Sequence, residues 1–135
     1  MMPKTAGIAA LILGGMAAGA LADVNIDQLL VRRKGEDVNI RVQIRNPGVK
    51  RQAGPVLIDL YVRDNASLPW EKIRTWKDIS VIKPGDRIAR DFFEENNVKL
   101  RDLAADGAFQ ARAVVTLPNG AKGAETTYSW QDKEK

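Results

Sequence analysis

The residue types that most often carry catalysis are scarce in this sequence. Its 135 residues include no histidine and no cysteine, which excludes disulfides, thiol nucleophiles and thiolate metal sites and removes the commonest general base. A nucleophile would have to be a hydroxyl activated by lysine, or the chemistry would need a pair of carboxylates. Ser67, Ser80 and Ser129 lie in no recognisable nucleophile motif. We therefore expect a protein that is not an enzyme, with no catalytic residues and no cofactor.

The densest group of carboxylates is formed by Asp91, Glu94 and Glu95, which Asn96 and Asn97 follow. Several oxygen ligands close together suit a calcium ion. Their spacing matches no calcium-loop motif, and adjacent residues of a strand point to opposite faces. We expect a solvated loop and no metal site. Calcium binding, or a hydrolytic role for these carboxylates, remains the alternative.

Basic residues exceed acidic residues only slightly, 21 to 17, for a net charge of +4. Two short basic clusters, at residues 32–34 and 50–51, fall in expected turns. Such clusters attract acidic polysaccharide or lipid headgroups, but turn charges more often only keep a surface solvated. No aromatic residues are interleaved with them, so we expect no nucleic-acid partner.

The aromatic residues are the strongest candidates for contact with a partner. Trp70 and Trp76 lie in the middle of the chain, and Tyr128 and Trp130 lie near its end. We expect one tryptophan to fill the core, and three are more than a core of this size needs. One or two would then belong to a partner-binding patch. Trp130, in line with Tyr128, is the first candidate.

Two segments show the alternation of a strand with one buried face. Residues 37–45 read DVNIRVQIR, and residues 55–63 read PVLIDLYVR. The apolar residues of each recur at every second position, as a pleated strand requires. In the second segment Leu57 and Tyr61 make the other face partly apolar as well. That face is expected to meet a neighbouring loop or a partner.

The rest of the chain contains further short strand patterns separated by turn residues. The expected strands are residues 24–31, 71–77, 79–82, 87–93, 108–117 and 124–130, while residues 98–103 fit either a strand or a helical turn. Turns are expected at residues 32–35, 46–48, 83–86 and 118–120. About seven strands without a long amphipathic helix predict an all-β fold, an immunoglobulin-like antiparallel β-sandwich. A small barrel is the alternative.

The start of the chain has the pattern of a secretory signal peptide. Lys4 precedes an uncharged run at residues 6–21, and Ala20 and Ala22 supply the small residues of a cleavage site. Cleavage after Ala22 would leave residues 23–135 as a single domain, periplasmic or extracellular, with no later apolar run long enough to span a bilayer. A permanent membrane anchor is the alternative.

Residues 38–62 resemble the core of the bacterial CARDB-like domains. The features that carry the resemblance are Asn46 and Gly48 in a turn, Ala53-Gly54-Pro55, and a second strand ending in Leu60-Tyr61. The turn at residues 82–86 is also similar. The chain departs from the family pattern in its last strand, AETTYSW, and in the long aromatic segment at residues 70–77. The resemblance implies an exported immunoglobulin-like or fibronectin-like module, and it brings no catalytic residues with it.

These features together predict a non-catalytic binding or assembly module. Its partner would be another exported or envelope protein, or a second copy of the chain. The alternative is a binder of carbohydrate or another small polar ligand, which would use exposed tryptophan and tyrosine rings as stacking surfaces.

Overall fold

A computed structural model describes residues 24–35 and 37–132. The predicted signal peptide, residues 1–22, lies outside the described residues. Within the described ranges, no helix is both long enough and apolar enough to cross a bilayer.

Seven antiparallel strands form two sheets, which confirms the predicted all-β sandwich. The strands are β1 (Asn25–Lys34), β2 (Asp37–Arg45), β3 (Val56–Arg63), β4 (Glu71–Asp78), β5 (Arg87–Phe93), β6 (Ala108–Thr116) and β7 (Lys122–Gln131). One sheet has the order β1-β2-β5 and the other the order β4-β3-β6-β7. A 3₁₀ turn, Glu94–Asn96, and the helix α1, Val98–Asp106, connect β5 to β6.

The core lies between the sheets and is formed by the alternating residues that the sequence indicated. On β2 and β3 the buried side chains include Ile40, Val42, Ile58 and Leu60, all fully buried. Two aromatic pairs belong to the same core. Trp76 meets the edge of Phe92 at 6.4 Å between ring centroids, and Phe109 lies 5.3 Å from Trp130. Burial of these apolar side chains is the main stabilising term for the sandwich.

The strands run between two ends of the sandwich that differ in construction. The loop end contains the connections at residues 46–55, 79–86 and 117–121, together with the start of β1. The helix end contains the turn between β1 and β2 and the connections at residues 64–70 and 94–107. The helix α1 covers the core there with Leu100, Leu103 and Ala104, which share one helical face. Thus residues 98–103, which fitted either a strand or a helical turn, are helical.

Two local expectations need correction. The basic residues 32–34 belong to strand β1, and the turn comes only at Gly35, where φ is +67°. Arg33 is paired there with Asp132 at 2.7 Å. Residues 79–82 are not a strand, since only Ile82 pairs, in an isolated bridge with Gln52.

The buried Asn46 joins the two loops that carry the chain between the sheets. Its side-chain Nδ2 donates to the carbonyls of Lys50 and Ile82, both at 2.8 Å, and its Oδ1 accepts from the Gly48 amide at 2.9 Å. The Asn46 backbone exchanges two further hydrogen bonds with residues 85 and 86. One side chain, 1% exposed, therefore fixes residues 46–50 against residues 82–86.

A second contact between the same loops requires glycine. A Cβ atom on Gly54 would lie 2.8 Å from the carbonyl carbon and oxygen of Ile79 and 2.9 Å from the carbonyl oxygen of Asp78. The neighbouring atoms all belong to the backbone, which moves aside less readily than a flexible side chain does. Gly54 thus allows the chain entering β3 to approach the chain leaving β4.

We predict that Asn46→Ala lowers the free energy of unfolding by about 2–4 kcal/mol, because the Lys50 carbonyl and the Gly48 amide lose their side-chain partner and the Ile82 carbonyl keeps only its bond from Gln52. Urea unfolding followed by tryptophan fluorescence measures the loss. Asn96→Ala, at an exposed position, is the matched control and should change stability by no more than about 0.5 kcal/mol. Equal effects of the two substitutions would contradict the role given to Asn46.

Gly54→Ala should destabilise the domain by about 1–3 kcal/mol, since a methyl group there overlaps backbone atoms. Gly48→Ala is the control, because the nearest atom to its added Cβ is 3.5 Å away. The same unfolding measurement compares them. A Gly54→Ala protein as stable as the Gly48→Ala protein would show that the two loops can separate without loss of stability.

Candidate functional site

The candidate site lies on the outer face of the four-stranded sheet, around Trp70. This residue comes directly before β4, and its side chain is half-buried. The site, here called the Trp70 face, is formed by Tyr61, Arg63, Trp70, Arg112, Val114, Lys122 and Glu125. Six of these residues surround a shallow depression of about 310 Å³, and Arg63 stacks on the tryptophan ring.

Strands β3 and β6 position the residues beneath Trp70. Tyr61 pairs with Arg112, and Arg63 pairs with Gln110. Because alternate residues of β3 face the core, Tyr61 and Arg63 point outwards together. The Arg63 Nε donates to Oε1 of Gln110 at 2.7 Å, and Nη1 donates to the carbonyl of Leu68 at 3.3 Å. The guanidinium is thus held before any partner arrives.

Both arginines of the face approach the Trp70 ring. The Cζ atom of Arg63 lies 4.0 Å from the ring centroid, and that of Arg112 lies 5.5 Å away. These are cation–π distances, and each such contact contributes about 0.5–1 kcal/mol when partly exposed. The indole is therefore fixed as a rigid element of the surface.

The charges of the face are partly paired. Glu125 contacts both Arg112 and Lys122, the latter at 2.6 Å. Nearby on β3 and β4, Asp59 lies 3.8 Å from Lys72. The buried Nε of Arg112 has no acceptor among the described residues. The face itself has three basic side chains and one acidic side chain, so it favours ligands that carry carboxylates.

Three of the four predicted partner-binding aromatics lie elsewhere. Trp76 and Trp130 are each only 8% exposed, and Tyr128 is partly buried against the core. Trp76 lines a cleft of about 420 Å³ between β4 and β5, where Arg74 lies 5.7 Å from its ring. Trp130 and Tyr128 point inwards from β7, beside Phe109 and Ala111. The structure thus separates Trp70 from the other three and places those three at the core.

The acidic group of the sequence is dispersed. Asp91 lies on β5, where it accepts a hydrogen bond from Nδ2 of Asn39 at 3.1 Å and lies 3.9 Å from Arg41. Glu94 and Glu95 lie in the following 3₁₀ turn. Within residues 24–35 and 37–132, no three acidic side chains are grouped as a metal site would require.

The two arginines of the face were not among the residues that the sequence singled out. For Arg63 a signal existed, because it continues the outward series of Leu57, Asp59 and Tyr61. For Arg112 the same alternation places it between the core residues Ala111 and Ala113. Their meeting over Trp70 depends on the pairing of β3 with β6, in which paired residues are 47 to 59 positions apart, from Arg63 with Gln110 to Leu57 with Thr116. Periodicity alone does not reveal this pairing.

The outer face of the three-stranded sheet is organised around an acidic residue. Asp27 accepts hydrogen bonds from Nε of Arg87 at 3.0 Å and Nε2 of Gln43 at 2.8 Å. The hydrogen bond from Arg87, followed by that from Gln43, lowers the pKa of Asp27 below its usual value of 3.8. This face lies across the core from Trp70 and provides positions for control substitutions.

A lowered folded-state pKa means that Asp27 stabilises the domain above its unfolded pKa and loses that contribution as the pH falls through the folded value. We therefore expect Asp27→Asn to be slightly less stable than the wild type at pH 6, with the difference shrinking as the pH falls below 3.8. Urea midpoints at pH 6 and pH 2.5 measure it. Asp64→Asn, in an exposed loop, is the control. A difference for Asp27→Asn that grows on acidification would contradict the assignment.

Comparison with known proteins identifies the fold. No protein-family model matches the chain, and no curated protein matches it in sequence. A calcium-binding mutant of β-glucuronidase 2 from Bacteroides uniformis is similar to 82% of this chain, with a TM-score of 0.50 and 8% identity. The archaellum periplasmic stator protein FlaG from Sulfolobus acidocaldarius gives a TM-score of 0.46 and 11% identity, over 78% of this chain and 97% of that one.

A β-glucosidase from Kluyveromyces marxianus gives a TM-score of 0.44 and 13% identity over 82% of this chain. The chain spans only 14% of each of the two glycosidases. At 8% identity the likeness to the β-glucuronidase is one of fold alone. The described residues form an immunoglobulin-like sandwich.

Proposed function

We propose that this protein is a non-catalytic exported module that binds another exported or envelope protein through the Trp70 face. The observation that carries the proposal is the Trp70 ring, which both Arg63 and Arg112 approach, beside Tyr61 on the outer face of the sheet. Tryptophan, tyrosine and arginine are the residue types enriched among those that dominate protein–protein binding energies.

The chemistry of the face indicates the kind of partner surface that it fits. Arg63 is bonded to an amide and a carbonyl, and Arg112 keeps a buried Nε without an acceptor among the described residues. A partner that offers carboxylates around an apolar centre would pair with the exposed parts of the two guanidinium groups and cover Trp70. A second copy of this chain is one such partner, since its helix end is rich in acidic residues.

Carbohydrate binding is the second candidate and is less favoured. A sugar stacks on the free face of an aromatic ring, whereas the Arg63 guanidinium lies 4.0 Å from the Trp70 centroid. Trp76 and Trp130, at 8% exposure, offer no free ring face. The Trp70 ring with its arginines suits a protein interface, because tryptophan and arginine are enriched among the residues that dominate binding energies there.

Export and membership of the CARDB-like domains belong to the same proposal. Export is supported by the signal pattern of residues 1–22. The CARDB-like resemblance is supported by Asn46 and Gly54, two residues of the shared pattern. Asn46 forms a hydrogen bond between the two loops, and Gly54 allows their backbones to approach closely.

Site-specific photo-crosslinking in the host envelope tests the proposed interface. A photoreactive residue replaces Thr127, which pairs with Arg112 on the outer face, or Ala89 on the outer face of the other sheet as a matched control. We expect one discrete protein adduct from position 127 and none from position 89. Trp70→Ala should abolish it, because loss of such an anchor costs about 2 kcal/mol, roughly 30-fold in affinity.

Equal adducts from both positions, or an adduct unaffected by Trp70→Ala, would reject the Trp70 face as the interface. Titration of the protein with envelope glycans, followed by tryptophan fluorescence, examines the second candidate. A saturable change that Trp70→Ala removes, without any protein adduct, would favour carbohydrate over protein.

A further inference from the structure

Exposed apolar side chains are concentrated at the loop end. Val49, Ile79 and Val81 are 92%, 77% and 47% exposed. They are three of the five large apolar residues that are exposed within the described ranges, and all three lie in the connections at residues 46–55 and 79–86. These loops are fixed to each other through Asn46, so their exposed side chains belong to one rigid surface.

Two antiparallel segments form this surface, here called the loop-end ribbon: residues 51–55 and 79–83. Gln52 and Ile82 pair in the bridge between them, with hydrogen bonds of 2.9 Å in both directions. Ile82 is buried, at 1% exposure, and so faces the core. The four residues that flank the bridged pair are exposed: Arg51, Ala53, Val81 and Lys83. Pro55 and Ile79, each three positions from the pair, are exposed as well. The ribbon thus presents an apolar strip that ends in two basic residues.

Charge is distributed unequally between the two ends of the sandwich. The loop-end connections at residues 46–55 and 79–86 contain three basic residues, Lys50, Arg51 and Lys83, and one acidic residue, Asp86. The helix-end connections at residues 64–70 and 94–107 contain five acidic residues and two basic ones, although β1 also ends there with the basic residues 32–34. An anionic surface therefore attracts the loop-end connections and repels the two helix-end connections.

We propose that the loop end docks on an anionic lipid bilayer, with the loop-end ribbon at the headgroup level. Val49, Ile79 and Val81 enter the interfacial region, while Lys50, Arg51 and Lys83 contact anionic headgroups. This combination of a small apolar surface with neighbouring basic residues is how peripheral domains bind such membranes.

The path of the chain also supports a bilayer as the partner of the loop end. Asn25 pairs with Arg45 at the start of β1, and Arg45 is followed by Asn46. The chain that precedes Val24 therefore enters the domain at the loop end. In sequence that part contains the uncharged run at residues 6–21. Until the expected cleavage after Ala22, that run is joined to the domain at the loop end.

Docking in this orientation leaves the Trp70 face available. Trp70 lies in the connection at residues 64–70, at the helix end of β4, and its partners Arg63 and Arg112 lie on the outer sheet face. Membrane contact and protein contact then use different surfaces, so either proposal can fail without the other.

A fluorescent label can report the orientation directly, because the chain has no cysteine. An environment-sensitive label is attached to Val81→Cys, or to Val98→Cys on α1 as the control, which is 66% exposed at the helix end. The exported protein, purified from the envelope, is mixed with vesicles of 30% phosphatidylglycerol in phosphatidylcholine, or of phosphatidylcholine alone. We expect a blue shift, and quenching by nitroxide-labelled lipid, only for the label at position 81 and only on the anionic vesicles.

Two double substitutions with the same change in net charge test the role of the basic residues. Lys50→Gln with Lys83→Gln should weaken binding to the anionic vesicles by about 10-fold or more, and added salt should have the same direction of effect. Lys99→Gln with Arg101→Gln, at the helix end, should change it by less than about twofold. Ile79→Ser with Val81→Ser tests the apolar strip and should also weaken binding. Circular dichroism confirms that each variant is folded.

Several results would overturn the proposal. A label at position 81 that stays aqueous on anionic vesicles rejects docking, and equal quenching at positions 81 and 98 rejects the orientation. Equal binding to pure phosphatidylcholine rejects the electrostatic part. If position 81 instead forms a discrete protein adduct in the envelope and ignores vesicles, the ribbon is a protein interface.

Discussion

The hydrogen bonds of one buried amide determine how this sandwich is closed at its loop end. Asn46 donates to the carbonyls of Lys50 and Ile82, the second of which is 36 positions away in sequence. The loops that it joins both carry the chain between the sheets. A buried polar group of this kind stabilises only when all its bonds are made. The close approach at Gly54 and the bridge of Gln52 to Ile82 both lie in the loops that this amide joins.

The alternation of the strands, fixed by the core, decides which side chains remain available for binding. On β3 the fully buried Ile58 and Leu60 leave Asp59, Tyr61 and Arg63 facing outwards. Strand β6 places Ala111 and Ala113 inside, and Arg112 is therefore beside Tyr61 on the outer face. The Trp70 face is thus a consequence of how the core is packed, and its arginines are held by neighbours that the same register supplies.

Much of this fold could be predicted from the sequence, whereas the site could be predicted only in part. Strict alternation on β2 and β3 indicated both strands, and Leu57 and Tyr61 already indicated a partly apolar outer face. The sequence also contains the residues that begin and end helix α1, since Asn97 caps its start and Gly107, with φ of +87°, ends it. The sequence did not show which tryptophans are buried, because burial of Trp76 and Trp130 depends on contacts with Phe92 and Phe109 from distant strands.

The rigidity of the sandwich suits it to hold two surfaces at a fixed angle. The loop end contains the apolar strip and basic residues, and the Trp70 face lies along the side of the four-stranded sheet. Strand β4, eight residues and so about 26 Å long, separates Trp70 from the ribbon. A partner bound at the Trp70 face would therefore sit at a defined height above a surface bound at the loop end, because both are attached to the same core.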